Sequence, residues 1–180
     1  MQVTTTRITD VKLIHPRIFE DSRGFFMESW NARAMAEAGI AATFVQDNHS
    51  LSIMGTLRGL HYQLDKPQGK LVRCTAGSVF DVAVDLRPES STYRQWAGET
   101  LSSDNKLQLW IPPGFAHGFL VLSDEAEVQY KCTEYYSPTS EQCIHWADPS
   151  LAIDWPLVGE PLLSEKDAEG LALADAPPIE

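Results

Sequence analysis

The sequence has little positive charge, few cysteines and no long apolar run. Its 14 Lys and Arg face 25 Asp and Glu, giving a formal net charge of −11, and this disfavours non-specific binding to nucleic acid or to an anionic membrane. The three cysteines form no CxxC pair, and the N-terminus lacks the charged and then apolar run of a secretory signal. The longest apolar stretch, residues 115–122, is short and is interrupted by His117 and Gly118. These absences predict a cytoplasmic protein with reduced thiols.

Length and composition are those of one globular domain. The 180 residues are 43% hydrophobic and 22% charged, so the chain can bury a core without a disulfide or a structural metal. No internal repeat and no central linker divides it. We expect one domain over residues 1–167 and a loosely held acidic tail over 168–180, which is rich in Ala, Asp and Pro.

Most of the chain is typical of short strands separated by Gly, Pro, Asp or Ser turns. Residues 78–86 alternate clearly and place Phe80, Val82, Val84 and Leu86 on one face. The other expected strands are 24–29, 43–48, 56–63, 70–75, 96–101, 107–111, 116–122 and 127–136. One helix is expected over 32–38, with Asn31 as its N-cap and Gly39 as its stop. The pattern predicts an all-β sandwich, jelly roll or barrel with one short helix and a few peripheral turns.

One predicted strand carries both Arg58 and His61. Strict alternation sends the two side chains to opposite faces of the sheet. Gly59 lies between them and could host a bulge that re-aims one of them. A surface arginine beside a hydrogen-bonded core histidine is the commoner arrangement, and the strand by itself leaves both interpretations open.

Several other polar positions have both a functional and a structural interpretation. His117 follows a Pro-Pro-Gly turn that leads into a strand, and the Tyr130 phenol could donate or accept a proton. Both are more often buried, hydrogen-bonded structural side chains. Lys70 and Arg73 would add positive charge near Arg58 if their strands pair. A phosphate-bearing substrate requires such a local cluster of positive charge. Solvated surface charge is the alternative for each of them.

Several longer stretches resemble one family in their order along the chain. They are residues 21–28, 44–50, 57–63, 70–74, 77–87, 109–119, 152–156 and 163–167. Together they resemble the dTDP-4-dehydrorhamnose 3,5-epimerases, which are deoxysugar epimerases of the cupin superfamily. The resemblance extends from the first strand to Asp167, and the tail has no clear match. It implies a cupin-like jelly roll and a homodimer in which some substrate contacts come from the partner subunit.

The resemblance also implies a role for individual residues. His61 matches the general base, Asp167 the carboxylate that orients it, and Tyr130 the acid that returns a proton from the opposite face of the sugar. Lys70 matches the cation that stabilises the enolate. The substrate-contact positions are Arg23, Glu28, Gln46, Asp47, Asn48, Arg58, Lys70, His117, Glu141 and Lys166.

The metal motifs of cupins are incomplete in this chain. Cupins carry a Gly, five residues and then His-x-His, with a Glu beyond. Here Gly55 and His61 have that spacing, but Gln63 replaces the second His, and no Glu occurs between Gln63 and Glu89. The later Pro-x-Gly-x-x-His motif is present and ends at His117. We therefore expect no bound metal, and the chain also lacks the Gly-x-Gly-x-x-Gly fingerprint of nicotinamide and flavin enzymes.

The residue types fit the chemistry that the resemblance implies. In a 4-keto sugar nucleotide the C3 and C5 protons are both alpha to the carbonyl, so each can be removed to leave an enolate. An imidazole titrates near neutrality and can take such a proton, and a nearby cation stabilises the enolate oxygen. The expected activity converts dTDP-4-dehydro-6-deoxy-D-glucose to dTDP-4-dehydro-L-rhamnose. The alternatives are an epimerase acting at C3 or C5 alone, and a non-catalytic cupin that binds sugar nucleotides.

Overall fold

Strands dominate residues 1–179, the part of the chain that the computed structural model describes. The described residues form thirteen strands and two short helices, α1 (Ala32–Glu37) and α2 (Glu165–Ala168). The strands are β1 (Gln2–Thr5), β2 (Lys12–His15), β3 (Ile18–Asp21), β4 (Gly24–Met27), β5 (Gln46–Ile53), β6 (Leu57–Gln63), β7 (Lys70–Ala76), β8 (Ser78–Asp85), β9 (Trp96–Ser102), β10 (Gln108–Ile111), β11 (Phe115–Val121), β12 (Glu125–Cys132) and β13 (Glu141–Cys143). The all-β prediction is confirmed.

Two antiparallel sheets form the body of the jelly roll. The larger sheet has the order β1-β2-β10-β7-β12-β5 and the smaller has the order β13-β6-β11-β8-β9. Apolar side chains from the larger sheet, such as Val72 and Val128, meet Val79, Ala83 and Phe119 of the smaller one in a shared core. Complete burial of each side chain of valine or phenylalanine size contributes about 1.5–3 kcal/mol to the free energy of unfolding. A separate hairpin of β3 and β4 lies outside both sheets.

The smaller sheet is covered on both faces. Val82, Val84 and Leu86 of the β8 region, which alternation places on one face, pack with Ile144 and other residues of a second core. The opposite face of β8 carries Val79 and Ala83 into the first core, as well as two fully buried carboxylates, Asp81 and Asp85. Both faces of β8 are therefore buried, including the one that carries the two carboxylates.

Within residues 168–179 several groups contact this second core; residue 180 of the expected tail lies outside the described residues. Leu173 and Ile179 are buried in it, the Leu171 N–H donates to the Cys143 carbonyl at 2.8 Å, and the Tyr62 hydroxyl donates to the Pro177 carbonyl at 2.7 Å. Two buried apolar side chains and two backbone hydrogen bonds provide these contacts, and the loosely held tail expected from the Ala, Asp and Pro content stays a prediction. A domain boundary at residue 167 stays a prediction.

Local capping explains both helices. The Asn31 side chain accepts a hydrogen bond from the Ala34 N–H at 3.1 Å, and Gly39 follows α1 with φ +79°. Helix α2 was not predicted, although its Ser-x-x-Asp start is a capping signature: the Ser164 hydroxyl accepts from the Asp167 N–H at 3.2 Å. Among the described residues, no helix has the length and apolar content needed to cross a membrane.

The strand predictions were incomplete. Strands β1, β2, β3 and β13 have only three or four residues each, which is too few to show a clear alternation. The strand expected over 43–48 is Gln46–Ile53 in the structure, so its predicted bounds were wrong.

Candidate active site

A cavity of about 380 Å³ brings together most of the residues selected from the sequence. Strands β6 and β11 of the smaller sheet supply one wall, and β5, β7 and β12 of the larger sheet supply another. The predicted site residues that line it are Gln46, Asn48, Arg58, His61, Lys70, His117, Tyr130, Glu141, Lys166 and Asp167. Residues from seven separate elements therefore converge on this cavity.

A bulge at Gly59 allows Arg58 and His61 to face the same cavity. Phe119 pairs with Arg58 and His117 pairs with His61, so three steps along β6 match two steps along β11. Gly59 has φ +115°, and a Cβ there would lie 2.6 Å from the Gly118 Cα. The bulge considered from the sequence is present, and it requires glycine for both its backbone angle and its space.

His61 and Asp167 form a hydrogen-bonded pair in this cavity. His61 Nε2 lies 2.6 Å from Asp167 Oδ1, and Asp167 is only 3% exposed. Burial would raise the pKa of Asp167, but the hydrogen bonds from His61, Ser164 and the Gly59 N–H outweigh it and lower the pKa to about 2. Because an ionised carboxylate only accepts hydrogen bonds, Nε2 carries the imidazole proton and Nδ1 is left free to act as a base.

A second buried histidine–carboxylate pair lies beside Lys70. His117 Nε2 donates to Asp81 Oδ2 at 2.9 Å, and both side chains are buried. Burial lowers the pKa of His117 and also that of Lys70, while the charge of Asp81 opposes the shift in both. Asp81 was not selected from the sequence, although a carboxylate in the middle of the apolar strand β8 is the signal for it.

Tyr130 lies on a different sheet from His61. It belongs to β12 of the larger sheet, whereas His61 belongs to β6 of the smaller one. Burial raises the pKa of Tyr130 to about 12, so its hydroxyl keeps its proton at neutral pH. The Lys70 ammonium lies 6.0 Å from the centre of the Tyr130 ring. A phenolic acid and a cation thus share the part of the cavity wall that belongs to the larger sheet.

Hydrogen bonds connect several polar side chains that line the cavity. Glu141 Oε2 accepts from Lys166 Nζ at 2.8 Å and from the Tyr136 hydroxyl at 2.9 Å. Gln46 accepts from the Tyr136 N–H at 2.9 Å and donates to Asn48 at 3.0 Å. Sequence reasoning missed Tyr136, because nothing distinguishes it from its exposed neighbour Tyr135 before the fold is known.

Three predicted substrate contacts lie outside the cavity. Arg23 is in the turn of the β3–β4 hairpin, where its side chain is 87% exposed and pairs with Asp21 at 2.6 Å. Glu28 lines a separate cavity. Asp47 points to the opposite face of β5 from Asn48 and forms an ion pair with Lys131 at 3.0 Å. One chain alone therefore does not bring these three residues to His61.

Gln63, at the position of the missing cupin histidine, supports nearby loops. Its amide donates to the carbonyls of Lys66 and Tyr135 at 3.2 and 3.3 Å. Its side-chain oxygen accepts from the Ser137 N–H at 2.9 Å. These bonds use both amide hydrogens and the side-chain oxygen on backbone groups, so Gln63 has a structural role.

The fold and the cavity define a jelly-roll protein of the cupin type with an acid–base site built on a histidine–aspartate pair. A sequence model of the dTDP-4-dehydrorhamnose 3,5-epimerases matches residues 5–175. The dTDP-4-dehydrorhamnose 3,5-epimerase of Pseudomonas aeruginosa is 61% identical over 177 residues, covering 98% of each chain. The chain belongs to the dTDP-4-dehydrorhamnose 3,5-epimerase family.

Solved structures and a more distant relative agree with this assignment. A dTDP-6-deoxy-D-glucose-3,5-epimerase from Legionella pneumophila, in complex with dTDP-4-keto-L-rhamnose, superposes with a TM-score of 0.96 at 54% identity, covering 98% of this chain and 94% of that chain. The dTDP-4-dehydrorhamnose 3-epimerase of Streptomyces niveus is 41% identical over 98% of this chain and 86% of its own length. The family therefore includes relatives named for one position as well as for two.

Proposed function

We propose that this chain inverts C3 and C5 of dTDP-4-dehydro-6-deoxy-D-glucose and so forms dTDP-4-dehydro-L-rhamnose. The observation that carries the proposal is the 2.6 Å contact between His61 Nε2 and Asp167 Oδ1 in a cavity that Tyr130 also lines. Membership of the 3,5-epimerase family supports the substrate. The reaction moves protons and no electrons, so it requires no nicotinamide or flavin.

His61 is the proposed base for both carbons. Each proton alpha to the C4 ketone is acidified by the carbonyl, and Nδ1 is the ring nitrogen that is free to take it. Asp167 holds the ring through Nε2 and stabilises the imidazolium that forms. Negative charge then develops on the C4 oxygen, and the Lys70 ammonium is the proposed cation that stabilises it.

Tyr130 is the proposed acid. Inversion requires the new proton to reach the face opposite to the one His61 deprotonates, and Tyr130 comes from the other sheet. Its pKa of about 12 keeps the phenol protonated until the enolate forms. After each inversion His61 holds an extra proton and Tyr130 lacks one, and exchange with water restores both groups.

The diphosphate explains why cations gather in an acidic chain. Arg58 and Lys166 both line the cavity, while the whole chain has a net charge of −11. The Arg58 Nε donates to the Ser52 hydroxyl at 3.0 Å, which orients the guanidinium. We assign Arg58 and Lys166 to the diphosphate and the polar Gln46–Asn48 pair to the hydrogen-bonding edge of the base.

A homodimer would complete the site. Phe19 and Phe26 are register partners across the β3–β4 hairpin and are 49% and 69% exposed, and exposed paired aromatic rings of this kind favour an interface. A second copy seated on the hairpin would cover these rings and carry the partner's Arg23 and Glu28 towards this cavity. The three cysteines are free and buried, which supports a reducing compartment, the cytoplasm.

Proton NMR of the enzyme with the substrate in deuterium oxide tests the proposal, with chelator present and a downstream reductase to trap the L-sugar. Loss of the C3 and C5 signals together with trapping of the L-sugar is the expected result. Exchange at one carbon alone would identify a single-position epimerase. The Streptomyces niveus relative is named as an epimerase of this kind. Binding without exchange at either carbon would leave a sugar-nucleotide-binding cupin.

A further inference from the structure

A third side chain, Cys143, joins the His61–Asp167 pair. Its Sγ lies 3.9 Å from Asp167 Oδ1, the same oxygen that His61 Nε2 approaches at 2.6 Å. The ligand atoms of His61, Cys143 and Asp167 all lie within 4.8 Å of one another. Cys143 is the register partner of His61 across β13 and β6, and Asp167 comes from α2. Two strands and a short helix therefore bring nitrogen, sulfur and oxygen donors close together.

The spacing is close to that of a tetrahedral metal site. Zinc bonds of about 2.0–2.3 Å to nitrogen, oxygen and sulfur separate neighbouring ligand atoms by roughly 3.3–3.6 Å. The sulfur–oxygen distance of 3.9 Å would have to shorten slightly, and the sulfur–nitrogen distance, which is at most 4.8 Å, would have to come into the same range. The nitrogen–oxygen distance of 2.6 Å would have to lengthen by less than about 1 Å, which a small rotation of the side chains provides.

The surroundings of Asp167 suit a ligating carboxylate. The Ser164 hydroxyl donates to Oδ2 at 2.7 Å and the Gly59 N–H donates to Oδ1 at 3.2 Å. Hydrogen bonds of this kind from outside the ligand set orient metal-binding carboxylates. His61 and Asp167 also line the cavity, so a fourth coordination position would face it.

We infer that His61, Cys143 and Asp167 form a three-ligand site for a thiophilic divalent cation such as Zn²⁺, and that the bound ion inhibits the enzyme. This inference goes beyond the proposed function, since the ion would be no cofactor. The sulfur ligand favours Zn²⁺, Cd²⁺ or Co²⁺ over Mg²⁺ and Ca²⁺, which prefer oxygen. Inhibition follows because the ion occupies Nε2 and fixes the tautomer in which Nδ1 carries the proton.

Binding of the ion is balanced in protons. The ion replaces the Cys143 thiol proton, which leaves to solvent, while the His61 proton is transferred from Nε2 to Nδ1. Nδ1 is then no longer free to act as a base.

Cobalt spectroscopy on the chelator-treated full chain tests the site without any assay of turnover. We expect Co²⁺ to produce a near-ultraviolet thiolate-to-cobalt charge-transfer band, and added Zn²⁺ to abolish it. The band should disappear in Cys143→Ser and in Cys143→Ala. It should persist in the matched control Cys74→Ser, which alters another buried free cysteine. Absence of the band in the unmodified protein, or its survival without Cys143, would overturn the site.

Inhibition is measured separately, because it also rests on the proposed role of His61. The rate of each variant with Zn²⁺ is compared with its own metal-free rate. Cys143→Ser should raise the half-inhibitory Zn²⁺ concentration at least about tenfold. Loss of a hydrogen-bond partner outside the ligand set usually lowers metal affinity by about tenfold or more, and loss of a ligand should cost at least as much. Equal sensitivity of Cys143→Ser and Cys74→Ser would overturn the inhibitory role. A failure of the proposed catalytic function would instead leave the cobalt band intact and remove the activity of every variant.

Discussion

His61 and Asp167 are 106 positions apart in the chain, yet His61 Nε2 lies 2.6 Å from Asp167 Oδ1. Helix α2, only four residues long, places the carboxylate there, and Ser164 at its N-cap binds both the Asp167 N–H and the Asp167 side chain. The orientation of the proposed base therefore depends on a short capped turn that docks against β6.

Asp167→Asn should lower kcat by about 100- to 10,000-fold, the range that a well-placed acid–base group contributes. The amide oxygen can still accept from Nε2, but it carries no charge and so stabilises an imidazolium much less than a carboxylate does. Binding of the substrate, measured by calorimetry, should change little, because the diphosphate contacts are unaltered. A variant that retains normal turnover would contradict the proposed pair.

The same variant should change acid unfolding. The pKa of Asp167 is lowered to about 2 in the folded chain, below its value in the unfolded chain. The ionised carboxylate therefore stabilises the fold at pH values above the unfolded pKa. This stabilisation is lost as the pH falls from the unfolded pKa towards 2. Asp167→Asn removes this titration. Its free energy of unfolding should fall less steeply with decreasing pH than that of the unmodified protein, as followed by urea titrations between pH 6 and acid.

Ser164 should act through Asp167. Ser164→Ala removes the donor to Oδ2 as well as the helix cap, which by itself is worth about 0.5–2 kcal/mol of stability. We expect a lower kcat and a shifted acid limb in the profile of kcat against pH. Ser164→Thr should restore kcat and the profile, because its hydroxyl can donate to Oδ2 and accept from the Asp167 N–H. If stability alone fell and the pH profile stayed in place, Ser164 would have a structural role only.

Gly59→Ala should disrupt the bulge. The added Cβ would lie 2.6 Å from the Gly118 Cα and from the His117 carbonyl oxygen, at φ +115°. Gly55→Ala is the matched control: it also has a positive φ, of +77°, but a Cβ there meets no atom within 4 Å. Positive φ alone costs about 1–3 kcal/mol. In urea titrations Gly59→Ala should lose more stability than Gly55→Ala, and it should also lose activity.

These residues show how far the sequence alone could lead. Alternation and turn residues were sufficient for the all-β fold and for β8, and Gly59 was recognised as a possible bulge. The contact of His61 with Asp167 could not follow from spacing, because it depends on how a distant turn docks. Asp81 and Tyr136 were missed, because a buried carboxylate and an exposed tyrosine gain meaning only from neighbours on other strands. The sequence could not show that Arg23, Glu28 and Asp47 lie outside the cavity, because this depends on the position of each side chain. For Arg23 and Glu28, the proposed homodimer would supply the route to the cavity.

Phe26→Asp should dissociate the proposed homodimer. It places a charge in the exposed aromatic surface of the β3–β4 hairpin, where desolvation on association would be unfavourable. Sedimentation velocity should show a monomer. A kinetic assay of the same variant should show a raised KM, because the partner's substrate contacts are lost. Val158→Asp is the control, since Val158 is 98% exposed and is not part of the hairpin. Equal sedimentation of the two variants would argue against an interface on the hairpin.

Arg23→Ala separates assembly from substrate binding. Its side chain is in the hairpin turn but is not one of the exposed aromatic rings, so the variant should sediment like the unmodified protein. If the partner's Arg23 reaches the diphosphate, KM should rise while kcat changes less. An unchanged KM would remove Arg23 from the list of substrate contacts.

Tyr130→Phe should uncouple proton removal from inversion. His61, Asp167 and Lys70 stay in place, so the enolate still forms, and the C3 or C5 proton should still exchange with deuterium oxide when His61 returns a solvent-derived deuteron to the same face. The opposite face lacks its acid, because the phenol that keeps its proton up to a pKa of about 12 is gone. NMR should therefore show exchange in the recovered substrate, with L-sugar formation reduced by about 100-fold or more. Loss of exchange and inversion in equal measure would assign Tyr130 to the first step instead, and full inversion without the phenol would require another acid on that wall of the cavity.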